Sequence, residues 1–178
     1  TPNIPTGVFG AKAGPFMAAT DEVHITIWGK GGHASSPQHA LDPVPIACEI
    51  VLALQNMVTR RINPFDPVIL TIAQINGGTT TNVIPETVVL GGTLRSVSED
   101  SRKAAKEGIQ RVANNIAKAH GAWAEVNLIE GYDVTVNDAR MVNLAAKTSR
   151  EMLGDHSFFT MPAPVMGAED WSYVLQKI

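Results

Sequence analysis

The chain has a single cysteine, Cys48, so no internal disulfide framework can form and a reducing, cytoplasmic setting is expected. Cys48 itself reads as a small core residue on a helix. No apolar run approaches the roughly 20 residues that cross a bilayer, and no basic end followed by an apolar centre opens the chain. A membrane partner is therefore not expected. Aromatic residues are only 6% of the chain, they do not alternate with Lys or Arg, and the net charge is -3. That leaves no basic field for phosphates and no stacking groove, which argues against nucleic acid as a partner. The five histidines, His24, His33, His39, His120 and His156, are scattered without ligand spacing, and no metal site is expected among them. There is no initiator Met, no internal repeat and no polar tail behind the apolar, helix-patterned Trp171–Ile178, so the sequence reads as a piece of a longer protein.

What remains is an ordinary globular composition, 44% hydrophobic and 17% charged over 178 residues, enough to bury a core. Val23, Ile25 and Ile27 alternate with His24, Thr26 and Trp28, the period of a strand with one face buried. Asp42 followed by Pro43 predicts a capped helix start, and Val44, Ala47, Cys48, Val51, Leu54 and Val58 recur at helical spacing up to Arg60 and Arg61. Val68–Ile75 and Thr87–Arg95 read as strands separated by the breaker Asn76-Gly77-Gly78. Ser98, backed by Glu99 and Asp100, predicts a second helix with Ala105, Ile109, Val112, Ala113 and Ile116 on its buried stripe and Gly121 as its end. Ala124, Val126 and Leu128 alternate as a fourth strand. The order βαββαβ predicts an α/β, ferredoxin-like unit in which two helices cover one face of a four-stranded antiparallel sheet.

The flanks do not fit that unit. Residues 1–20 are rich in Pro and Gly, and after Tyr132 a further helix is expected from Asn137 or Asp138 to Gly154, with Met141, Val142, Leu144, Ala145 and Met152 on one side. Residues 21–131 are therefore read as a domain inserted into a second one, to which residues 1–20 and 132–178 belong.

Three motifs could carry chemistry. In Gly29-Lys30-Gly31-Gly32-His33-Ala34-Ser35-Ser36-Pro37, the glycines, Gly31 and Gly32 among them, let the backbone lie close to another surface and leave His33 projecting from a loop. An imidazole so presented can donate to a developing oxyanion; a plain turn, an anion nest or a surface histidine would look the same. In Gly77-Gly78-Thr79-Thr80-Thr81-Asn82-Val83-Ile84-Pro85, Asn82 offers donor and acceptor, and in Gly91-Gly92-Thr93-Leu94-Arg95 the guanidinium offers a fork for a carboxylate. Together Asn82 and Arg95 could grip an acidic ligand. Alternatively, Asn82 caps a turn and Arg95 pairs with a surface carboxylate.

Taken with Asp42-Pro43 and Met166-Gly167-Ala168-Glu169-Asp170-Trp171, these motifs resemble the lid or dimerisation domain of the zinc-dependent aminoacylase and carboxypeptidase family, in its amidohydrolase branch of hippurate and indole-acetyl-amino-acid hydrolases. The resemblance covers nearly the whole chain. It implies a homodimeric enzyme that hydrolyses N-acyl amino acids with two divalent metal ions, zinc or in some members manganese or cobalt. It further implies that His33 stabilises the oxyanion in the partner subunit's site, and that Asn82 and Arg95 bind the substrate carboxylate. The family's ligands, a Cys-Gly-His-Asp motif, a Glu-Glu pair and two further histidines, lie outside this chain, which alone is expected to be inactive. Glu169 and Asp170 fall in a motif near the family's active site and are read as packing or supporting residues, not ligands. Relatives carry histidine where Gln38 stands beside His39, so the role of that position is open. The competing class is a non-enzymatic ferredoxin-like module that dimerises or binds a small molecule.

Overall fold

The computed structural model describes residues 4–178. Its strands are β1 (Phe9–Ala11), β2 (Gly14–Met17), β3 (Ala19–Trp28), β4 (Gly32–His33), β5 (Val68–Gly77), β6 (Val83–Ile84), β7 (Thr87–Ser96), β8 (Trp123–Glu130), β9 (Thr135–Asn137) and β10 (Phe158–Thr160). Its helices are α1 (Pro43–Arg61), α2 (Glu99–Ala119), α3 (Ala139–Leu153) and α4 (Trp171–Leu175). Two compact units result: Thr20–Gly131, and the segments that precede and follow it. No helix among the described residues is long and apolar enough to cross a membrane.

In the Thr20–Gly131 unit the sheet order is β5-β7-β3-β8, with β5 antiparallel to β7 and β3 antiparallel to β8. With α1 connecting β3 to β5 and α2 connecting β7 to β8, this is the ferredoxin-like split βαβ arrangement. α1 packs on β5 and β7, α2 on β8 and β7, and the helices pack on each other. Each starts on a local cap. The Asp42 carboxylate accepts from the Val44 N–H at 2.9 Å, and the Ser98 hydroxyl oxygen accepts from the Ser101 N–H at 3.1 Å. α2 ends where Gly121 takes φ +75°, and the following Ala122 N–H returns to the Ala117 carbonyl at 2.9 Å. Val23, Ile25 and Ile27 of β3 are fully buried against Ile46, Ile50 and Leu54 of α1, Ile109 and Ala113 of α2, and Leu90 and Leu94 of β7. Each large aliphatic side chain so buried contributes about 1.5–3 kcal/mol.

The apolar arc of α1 is divided. Ile46, Ala47, Ile50, Leu54 and Met57 face the core, whereas Cys48 is exposed and not a core residue, and Val44 is exposed as well. The Gln55 amide donates to the Leu70 carbonyl of β5 at 3.3 Å, which marks the side of α1 turned toward the open β5 edge. Val44, Cys48 and Val51 precede Gln55 at helical spacings of eleven, seven and four and share that side. Leu52, 72% exposed, stands on the outer surface nearby.

A buried ion pair lies at the other end of the sheet. Asp21 takes the same inward phase as Val23, Ile25 and Ile27, and its two carboxylate oxygens accept from Arg102 Nε at 2.9 Å and Nη2 at 2.8 Å. Lys106 lies 3.0 Å from Asp21 and 2.7 Å from Glu130, so α2 is pinned to the first strand and the last. Breaking such a pair leaves a buried charge uncompensated, at a cost of about 3–5 kcal/mol.

In the second unit β1 pairs parallel with β10, and β2 antiparallel with β9. Asp138 caps α3, accepting from the N–H groups of Arg140 at 2.9 Å and Met141 at 3.1 Å. The Met141 N–H above all, together with Arg140, holds the Asp138 carboxyl below its usual value. The sequence-derived α3 stripe is present, but Met141, Leu144 and Met152 are exposed, and only Ala146 and Ser149 are buried. An apolar stripe becomes buried only where another surface meets it, and Leu175 and Ile178, which line one hollow with Met141, Val142 and Ala145, cover it only in part. The helix expected over Trp171–Ile178 is shorter and stops at Leu175.

Candidate functional site

The loop after β3 is bound down on both sides. The Gly29 N–H donates to the Glu86 carbonyl at 2.8 Å, and Lys30 and Leu41 exchange backbone hydrogen bonds of 2.8 and 2.9 Å. A Cβ at position 29 would run into the Leu41 carbonyl, so only glycine fits there. Gly31 and Gly32 are also close-approach positions: a Cβ would meet the Glu86 side chain at 3.1 Å in one case and the Ala40 methyl at 2.9 Å in the other. They serve the backbone path. Beyond them β4 pairs with β6, setting His33 opposite Val83, and the Ala34 N–H donates to the Asn82 carbonyl at 3.0 Å.

His33 is exposed, and among the described residues its ring is held by Ser35. Nδ1 lies 2.7 Å from the Ser35 hydroxyl oxygen and accepts from the Ser35 N–H at 3.2 Å. A backbone N–H can only donate, so Nδ1 carries the lone pair and the neutral ring keeps its proton on Nε2. Among the described residues Nε2–H is thus a donor without a partner. Asn82 is treated likewise, since the Thr80 hydroxyl donates to its Oδ1 at 3.1 Å and leaves the amide NH2 unengaged among the described residues. Gln38 and His39 lie exposed in the short turn Pro37–His39 that follows the loop.

Arg95 is elsewhere. It pairs in register with Ile69 near the end of β7, while Asn82 precedes the start of β7, where Gly77 pairs with Val88. Eight steps along the strand separate Thr87 from Arg95, roughly 26 Å at about 3.3 Å per residue. One copy of the chain therefore brings His33 and Asn82 together but does not bring Arg95 to them. Arg95 stands at the end of the sheet where the chain enters and leaves the unit, at Thr20 and Gly131, and among the described residues no carboxylate pairs with it. Ile69, its neighbour in register, is exposed on the face turned away from the helices.

In the other unit Glu169 and Asp170 form the turn that starts α4, their carbonyls accepting from the N–H groups of Ser172 at 3.2 Å and Tyr173 at 3.0 Å. Both residues are exposed. Among the described residues no three His, Cys, Asp or Glu side chains stand close enough to hold a metal ion. Sequence reasoning overlooked Ser35 and Thr80, each two residues from the side chain it holds, and the Asp21–Arg102 pair, although an acid in phase with Val23, Ile25 and Ile27 is itself a sign of a buried charge.

Residues 20–121 match the family model described as the peptidase dimerisation domain. The chain is 37% identical over 176 residues to thermostable carboxypeptidase 2 of Saccharolobus solfataricus, covering 98% of this chain and 44% of that protein. It is 38% identical over 180 residues to N-acetyl-L-cysteine deacetylase of Bacillus subtilis, covering 99% and 42%. A Bacillus subtilis crystal structure described as a dinuclear metal-binding peptidase of the M20 family superposes with a TM-score of 0.79 at 29% identity, over 100% of this chain and 43% of that one. The chain thus spans less than half the length of the relatives it matches. Over the span it does share, fold, motifs and sequence agree, and the chain belongs to the M20 peptidase family, with residues 20–121 forming its dimerisation domain.

Proposed function

We propose that this chain is the dimerisation portion of a metal-dependent enzyme that hydrolyses the amide bond of N-acyl amino acids, and that His33 acts in the partner subunit's active site. The observation that carries the reading is the presentation of His33: an exposed ring, held through Nδ1 with Nε2–H free, at the end of the sheet remote from Thr20 and Gly131. A fixed N–H donor aimed outward is what a tetrahedral oxyanion requires. The names of a relative that deacetylates N-acetyl-L-cysteine and of another that is a carboxypeptidase support the substrate class, since both names imply substrates with an amide bond and a free carboxylate. The described residues do not form a donor set for a metal ion, so zinc, manganese or cobalt would be held by other parts of the enzyme. On this reading the chain alone binds no ion tightly and hydrolyses nothing.

Two-fold pairing through β5 supports the assignment in trans. Among the described residues that edge is unpaired, the apolar side of α1 lies beside it, and two such edges related by a two-fold axis run antiparallel. The His33 end of one copy then falls at the Arg95 end of the other. One site would take His33 and Asn82 from one subunit and Arg95, for the substrate carboxylate, from its partner.

In the whole enzyme His33→Ala should lower kcat by roughly 10²–10³ and change KM little. Reassembling that variant with an equal amount of a variant lacking a metal ligand makes about half the dimers mixed, each with one intact site, so roughly a quarter of wild-type activity should return. A histidine that serves its own subunit gives no recovery, and that result would end the proposal.

A further inference from the structure

We infer that Ser35 is a positioning residue for the hydrolysis proposed above: it fixes His33 as the Nε2–H tautomer and holds the ring so that this donor faces outward. The inference rests on that reading for its function and on geometry for its substance. An isolated neutral imidazole exchanges its proton between two nitrogens, and only one of the two forms presents a donor at Nε2. Ser35 removes the ambiguity with two groups. Its N–H, which cannot accept, donates to Nδ1 at 3.2 Å, and its hydroxyl lies 2.7 Å from the same nitrogen. With the backbone N–H demanding a lone pair there, the hydroxyl must donate as well, and the proton is left on Nε2. The same contacts bind the ring to its own turn, which the Ser36 N–H closes on the His33 carbonyl at 2.9 Å. The ring is exposed, so no packed side chain would orient it otherwise.

The serine hydroxyl is the removable part, because the backbone N–H survives substitution. In the ¹⁵N-labelled chain the long-range imidazole spectrum should show His33 Nδ1 as the unprotonated, pyridine-type nitrogen and Nε2 as the protonated, pyrrole-type one. Ser35→Ala keeps the N–H that demands the Nδ1 lone pair but loses the second donor to it, so both signals should move part of the way toward tautomer-averaged positions, and Ser35→Thr, which restores a hydroxyl, should return them. In the whole enzyme Ser35→Ala should lower kcat by no more than the roughly 2- to 10-fold that loss of one neutral hydrogen bond takes from the tautomer equilibrium constant, with KM little altered and Ser35→Thr close to wild type. A fall in kcat without a tautomer change would mean that the serine merely shapes the loop, and would overturn the inference. If His33→Ala lowers kcat but Ser35→Ala changes neither spectrum nor turnover, the inference fails while the proposed function stands. If His33→Ala leaves kcat unchanged, the proposed function fails, and any tautomer shift in Ser35→Ala then reports a turn contact with no catalytic positioning.

Discussion

At the scale of single residues, the donors and the cation that the motifs single out have different surroundings, and the difference decides what each can do. Among the described residues His33 and Asn82 are each held through an acceptor atom and left with an unengaged N–H, while Arg95, about a strand's length away, has no carboxylate partner. Arg95→Ala in the whole enzyme should therefore weaken substrates with a free α-carboxylate by about 1.5–3 kcal/mol, the cost of losing a hydrogen bond to a charged group. Amidated substrates lack the charge and should lose far less. Steady-state kcat/KM on matched pairs separates the cases, and equal losses would make Arg95 structural. As candidates these residues are legible in the sequence, because glycine-flanked His33 and strand-terminal Arg95 are unusual placements. Their grouping is carried by no single motif: Asn82 and Arg95 are thirteen positions apart, and the strand expected over Thr87–Arg95, ten residues long as β7, sets them at opposite ends of the sheet.

Among the elements, the long ones follow from periodicity and the short ones do not. β3, α1, β5, β7, α2 and β8 carry enough repeats of a 2- or 3.6-residue pattern to declare themselves. The ladder of β4 with β6 is two residues long, and β1, β2, β9 and β10 have three or four residues each, their partners far off in sequence. No local pattern can announce a pairing of that kind. α1 is the instructive intermediate. Its apolar residues span too wide an arc for one contact, and the structure divides them between the core and the side bearing Val44, Cys48 and Val51. If that side meets a second copy along β5, Cys48→Glu sets like charges near one another in the interface. The dimer dissociation constant should rise roughly 100-fold, in keeping with the several kcal/mol that like-charge juxtaposition costs. The monomer fold should survive, because Cys48 is exposed. Sedimentation equilibrium beside far-UV circular dichroism tests both halves, and an unchanged dimer would remove β5 and α1 from the interface.

For the whole molecule, an inserted unit is recognisable from sequence because composition and periodicity change near residues 20 and 131, but its exact ends are set by contacts that no pattern encodes. The Gly131 N–H donates to the Thr20 carbonyl at 2.9 Å, so the first and last residues of the unit are hydrogen-bonded neighbours. To the strands outside it, a folded insertion with touching ends is topologically a tight turn. An unfolded one is a tether of about a hundred residues, whose closure costs roughly 4 kcal/mol by the logarithmic loop law. In the whole enzyme, replacing Thr20–Gly131 by a short Gly-containing turn should then preserve the melting temperature of the remaining domain to within a few degrees. Disrupting the unit from inside, by Asp21→Ala, should lower it, because the tether is then long and loose. Calorimetry on the two variants would read the difference. The opposite order would mean that the dimerisation domain contributes contacts, rather than closure, to the fold that carries it.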